Sequence, residues 1–282
     1  MRRVLAKLGK VANVALKPLR VLLVPLPQDF YGLHVYDVTV RPSKPKYLNI
    51  GSNDFRHPYW HNLDHPTAFE GFARNQRDNI DIAHDLMSGK PIPVDDNSLS
   101  IAYCSHVIEH LPDEQVAFLF REVFRILAPG GHFRLIAPDM HVYYEAYLRG
   151  DRFYLLDTFK FHNATTVEQS LLEKFATALT KNHPDPRGRK YSDQEIADVF
   201  HRLPENDAYE FFCKQVPPEV QYDYPADHLN WFTVPKTTQM LREAGFEKVW
   251  ESRLGQSHRP ELRETHLFDP HSFESFYIEC SK

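Results

Sequence analysis

The run from Ser98 to Ala137 constrains the fold of this chain more than any other stretch. Ser98-Leu99-Ser100-Ile101-Ala102-Tyr103-Cys104 alternates as a strand does, and Pro112-Asp113-Glu114 then opens a helix in which Val116, Leu119, Phe120, Val123, Phe124 and Leu127 recur at helical spacing. Pro129-Gly130-Gly131 ends the helix, and His132 to Ala137 reads as the next strand. Strand, helix, turn and strand in that order predict a βαβ unit and a mainly parallel sheet.

Further strands are expected at Lys46 to Ile50, ending at Gly51, at a segment closing on Leu63-Asp64, and near Ile80 to Ala83. Past residue 141 the pattern changes. Aromatic and charged residues mix, helical patterns run from Val167 to Leu179 and from Asp193 to His201, and Pro184, Pro186, Pro217 and Pro218 interrupt them. This predicts an inserted, mostly helical cap over 141–226. The α/β pattern resumes with a helix from Thr237 to Ala244 stopped by Gly245, then strands at Phe246 to Leu254 and Ser275 to Ser281.

A chain of 282 residues with 42% hydrophobic and 25% charged content can bury a full core. Its formal net charge of -5 gives no general attraction to a phosphate backbone, so nucleic acid is not expected as a partner. Three cysteines far apart fit neither a disulfide framework nor paired zinc ligands, which makes a reducing, cytoplasmic compartment the default. The first 40 residues form a basic arm. Arg2, Arg3, Lys7, Lys10, Lys17 and Arg20 all precede the first acid, Asp29, and interleave with Val4, Leu5, Leu8, Val11 and Val14 as in a short amphipathic helix. Lys17, Pro18 and Arg20 break the apolar stretch well short of the roughly 20 residues a membrane span needs. Packing on the domain, peripheral contact with a membrane surface and a transit peptide all fit such an arm.

Three pieces in order carry a family resemblance: His84-Asp85-Leu86 followed by Pro91 to Ser98; Ser105-His106-Val107-Ile108-Glu109-His110-Leu111; and Leu127-Ala128-Pro129-Gly130-Gly131. They resemble the methyltransferases of bacterial capsule and lipopolysaccharide gene clusters, a branch of the class I S-adenosylmethionine-dependent enzymes. The resemblance implies a Rossmann-like α/β fold: a seven-stranded, mainly parallel sheet with its last strand antiparallel, helices on both faces and the helical cap inserted. The enzyme domain would comprise 41–140 and 227–282. S-adenosylmethionine would lie across the carboxyl ends of the first strands, where open α/β sheets take their ligands.

On that resemblance the cofactor contacts fall on Gly51, Ser52, Asn53, Asp64, Asp85, Leu86, Ser105 and His106. Gly51 permits close backbone approach because it lacks a Cβ. Relatives carry further glycines where this chain has Asn53, Asp54 and Phe55. Asp64 would accept from the ribose hydroxyls and Asp85 from the adenine amino group. The acceptor would be a sugar or surface-glycan precursor, or another small or lipid-like molecule. A hydroxyl acceptor needs a positioned base, and the candidates are His110, Asp139 and His141. His228, in Asp227-His228-Leu229-Asn230-Trp231, would precede the penultimate helix and close over the acceptor.

His106-x-x-Glu109-His110 also matches the inverted zinc-peptidase signature. That enzyme needs a long helix around the motif, whereas here a strand ends at Cys104 and Pro112 begins the next helix, so no metal ligands are assigned. A binding module that kept the fold after its cofactor loop degenerated at Asn53 to Phe55 is the rival from another class.

Overall fold

The structure is a computed structural model of the full chain, described here for residues 36–38, 40–65, 79–157, 164–268 and 273–282. The amphipathic arm expected over the first 40 residues lies almost wholly outside the described residues. Seven strands form one sheet: β1 (Tyr47–Ile50), β2 (His61–Asp64), β3 (Ile82–Ala83), β4 (Leu99–Ser105), β5 (Leu127–Pro138), β6 (Lys248–Ser252) and β7 (Ser275–Ser281). Their order is β3-β2-β1-β4-β5-β7-β6. The first five pair in parallel, and β7 runs antiparallel to both β5 and β6. This is the Rossmann-like methyltransferase topology expected from the sequence.

Both faces of the central strands are buried, as a parallel sheet requires. Period-two alternation sends Leu48, Ile50, Ala102 and Cys104 to one core and Tyr47, Ile101 and Tyr103 to another. The first core is closed by α1 (Asp113–Ile126), through Val116, Leu119, Phe120 and Val123, and by Leu241 of α7 (Val234–Glu243). The second is largely aromatic, with Tyr36, Trp60, Phe268 and Tyr277 around Tyr47 and Tyr103.

Between the two halves of the sheet the chain is mostly helical: α2 (Met140–Leu148), α3 (Val167–Glu173), α4 (Asp193–Arg202), α5 (Glu205–Cys213) and the single turn α6 (Val220–Asp223). Ser192 and Glu195 close a capping box at the start of α4, which fixes where that helix begins. These helices bury Tyr143, Leu171, Phe175, Ile196, Tyr209 and Phe212 in a third cluster of their own, to which Leu229 and Trp231 also belong. The segment from Met140 to Trp231 thus holds an apolar cluster of its own.

Some boundaries differ from expectation. The third strand shrinks to Ile82–Ala83, and α3 stops at Glu173, with a separate one-turn helix at Thr177–Leu179. Helix α7 starts at Val234 because Thr233 caps it, accepting from the Lys236 amide. β5 runs through Pro129-Gly130-Gly131 instead of starting at His132. The register jumps from Leu99↔Leu127 to Ile101↔His132, and the extra residues are held by the end of the chain. Gly130 N donates to Lys282 O, and Lys282 N donates to Gly131 O.

Candidate functional site

Chain order reverses across the sheet between β1 and β4, and the cleft this opens at the carboxyl ends of the strands is where open α/β sheets bind ligands. A cavity of about 580 Å³ occupies it. Gly51 after β1, Asp64 at the end of β2, Asp85 after β3, His106 after β4 and Pro138 at the end of β5 all line it.

The strand ends build one half of this pocket. Gly51 has φ +70°, and a Cβ there would fall 2.2 Å from Val107 Cγ2, so both backbone and space demand glycine. Asn53 takes φ +46°, a conformation asparagine tolerates, so the loop makes its turn without the glycine that relatives use. Its amide donates to Asp64 Oδ2 at 2.8 Å, and the His65 amide donates to Oδ1 at 2.7 Å. Oδ1 keeps a lone pair for a ligand hydroxyl. Asp85 caps the turn at Leu86–Ser88 by accepting from Met87 N at 2.8 Å, with Leu86 and Met87 as apolar neighbours in the pocket wall. A glycine that cannot carry a Cβ, two carboxylates and an apolar strip suit the amino-acid, ribose and adenine parts of S-adenosylmethionine.

Ser52 and Ser105 are not among the lining residues. Ser52 is buried, with its Oγ 3.4 Å from Asp64 Oδ2. Ser105 Oγ is buried without a hydrogen-bond partner among the described residues. His106 does line the pocket; it takes φ +52°, and its Nε2 lies 2.8 Å from Ser275 Oγ.

The other half of the pocket is polar and comes from distant parts of the chain. His110, at the end of the one-turn helix Ile108–His110, faces it beside His228, Lys174, Gln221, Tyr222 and Glu274. Lys174 is buried, and that burial lowers its pKa against the pull of Glu274, 3.7 Å away. Burial and the neighbouring His110 push His228 down to about 3, so its ring is neutral. Burial would raise the Glu109 carboxyl, but the His106 ring beside it prevails and holds it at about 2. Glu109, His110 and His228 each place a possible ligand atom within 4.8 Å of the others, which makes them the metal-competent group among the described residues.

The three candidate bases separate. His110 faces the pocket, but Asp139 and His141 are not among its lining residues. Asp139 caps α2, accepting from the His141 amide at 3.1 Å, and burial raises its pKa. His141 is exposed and paired with Glu205 at 3.0 Å, which raises its pKa. Lys174, Gln221, Tyr222 and Glu274 were not foreseen. They sit in segments with no motif: Lys174 follows α3, Gln221 and Tyr222 lie in α6, and Glu274 directly precedes β7.

Residues 63–135, from β2 through β5, match the model of the methyltransferase domain family. No curated protein matches the chain. Solved structures similar to it include a SAM-dependent methyltransferase from Archaeoglobus fulgidus, 10% identical with a TM-score of 0.40 over 85% of this chain and 87% of that one. An S-adenosylmethionine-dependent methyltransferase from Mesorhizobium loti is 16% identical, with a TM-score of 0.39 over 90% of this chain and 97% of that one. The matched segment contains Asp64, Asp85 and His106 of the pocket wall, and Gly51 lies before it. Residues 63–135 are a methyltransferase domain, and this makes the chain an enzyme with S-adenosylmethionine as its cofactor.

Proposed function

We propose that this enzyme methylates a hydroxyl of a polar, polyhydroxylated acceptor such as a sugar or surface-glycan precursor. The observation that carries the reading is the continuity of one pocket from Gly51, Asp64 and Asp85 to His110, His228, Lys174 and Glu274. The cofactor end positions the methyl donor, and the far end offers an ammonium, a carboxylate and an amide, groups that exchange hydrogen bonds with neighbouring hydroxyls.

The cofactor supplies an electrophilic methyl group on a sulfonium. This chain's residues align the acceptor oxygen with that carbon, an effect that supplies much of the rate in an in-line displacement. The hydroxyl must also lose its proton, and His110 stands with Glu109 and His228 at the acceptor end for that task. Asp139 and His141 are assigned to positioning α2 rather than to chemistry. The polar far end favours a hydrophilic acceptor over a lipid-like one, and the basic sequence of the arm supports working at a membrane surface.

The test is transfer of isotope-labelled methyl from the cofactor to a panel of sugars, sugar nucleotides and glycan fragments, with the product bond identified by fragmentation. Label in a base-stable ether is expected. Label confined to nitrogen, carbon or a base-labile ester, or to lipid acceptors alone, would overturn the reading.

A further inference from the structure

Hydrogen-bond partners fix the tautomers of the two histidines at the acceptor end. His110 Nδ1 lies 2.8 Å from the carbonyl oxygen of Asp227, and His228 Nδ1 lies 2.8 Å from that of Lys174. A carbonyl oxygen only accepts, so both rings carry hydrogen on Nδ1, and a metal ion would meet them at Nε2. Glu109 sits beside them at 2% exposure. Neither of its carboxylate oxygens accepts a hydrogen bond among the described residues; His106 Nδ1 is 3.2 Å from Oε1 but out of line for one.

Two imidazoles and a carboxylate thus place possible ligand atoms within 4.8 Å of one another. A buried carboxylate that accepts no hydrogen bond is costly unless a cation compensates it. Two backbone carbonyls hold the rings from their Nδ1 side. Carbonyls behind imidazoles are what metal-bound histidines use to fix tautomer and ring direction. Ligands of a tetrahedral zinc ion stand about 3.4 Å apart, so the 4.8 Å spread must close by side-chain rotation on binding.

We propose that Glu109, His110 and His228 bind a divalent first-row transition cation at the acceptor end of the pocket. Two imidazoles with one carboxylate favour zinc or manganese over magnesium or calcium, which prefer all-oxygen sites. Three protein ligands leave coordination positions open toward the acceptor. The role of the ion rests on the hydroxyl-acceptor reading above. An ion here would lower the pKa of the acceptor hydroxyl, whose proton would pass to water, with His110 serving as a ligand in place of the base assigned above. The oxygen then forms its bond to the methyl carbon as the carbon–sulfur bond breaks and its electron pair stays on sulfur.

The test is calorimetric titration of the chelator-stripped full chain with ZnCl2 and with MnCl2, without cofactor or acceptor. One saturable site of micromolar affinity or tighter is expected. His228→Ala and Glu109→Gln should each weaken it at least tenfold, in variants whose melting shows that they fold. No saturable binding by the wild-type chain overturns the proposal, as does unchanged affinity in both folded variants. Because the titration contains no acceptor, a methyl group found on nitrogen or carbon would sink the hydroxyl reading and leave the metal site standing.

Discussion

His110 and His228 meet edge to face, with ring centroids 4.8 Å apart and planes at 80°. One ring follows β4 and the other ends the cap, so their contact is where the two cores of the molecule share a site. The peptide joining Asp227 to His228 holds both rings. Its carbonyl bonds His110, and its N–H donates to Thr177 Oγ1 at 3.0 Å. Acceptor chemistry in this enzyme therefore depends on the cap being folded.

Cofactor affinity should depend on the two carboxylates of the strand ends. Hydrogen bonds to a charged group contribute about 1.5–3 kcal/mol each, so Asp64→Ala and Asp85→Ala should each weaken binding of S-adenosylhomocysteine roughly tenfold to a hundredfold. Calorimetry reads this directly. Affinity equal to wild type in both variants would mean that the cofactor lies elsewhere.

Gly51→Ala should damage stability and binding together. The new methyl would meet Val107 Cγ2 at 2.2 Å, and φ +70° is strained for alanine. A loss of about 2–4 kcal/mol is expected from overpacking plus backbone strain. Denaturant melts of Gly51→Ala and of Gly51→Ala with Val107→Ala separate the two effects. The double variant should recover only part of the loss, because the backbone strain remains.

The salt bridge under the sheet should set the acid limit of stability. Glu279 is fully buried, and Arg134 and His132 both donate to it. Burial alone would raise its carboxyl, but the His132 hydrogen bond and the Arg134 charge overcome that and hold it at about 2, against an ordinary 4.5. The stabilisation is thus complete above about pH 4.5 and disappears as pH falls toward 2. Glu279→Ala should cost about 3–5 kcal/mol at neutral pH by leaving a buried guanidinium uncompensated. Its melting should also vary less with pH between 5 and about 2 than that of the wild type.

Much of this protein was legible in its sequence because the information is local. Alternation in Leu99 to Cys104 and the helical spacing of Val116 to Val123 each depend on residues a few positions apart, and they fix a βαβ unit whatever surrounds it. The same holds for Gly51, Asp64 and Asp85, which reach one cleft because each follows the end of a parallel strand. Asn53 shows the limit of residue matching. It looked like the loss of a loop glycine, yet asparagine reaches the same positive φ.

The acceptor end was decided by tertiary structure. Nothing near Lys174 or Glu274 in the sequence marks either as a pocket residue: Lys174 comes from the helical segment and Glu274 from just before β7, and only the fold brings them together. Asp139 and His141 follow a strand end just as Asp85 does, but the helix they begin turns them away: one becomes its cap and the other a surface partner of Glu205. His110 became one of three converging ligand groups only because the turn at Asp227 and His228 docks on it. Periodicity and strand ends are written within a few residues of sequence, whereas contacts between elements far apart along the chain depend on the shape each element presents after it has folded.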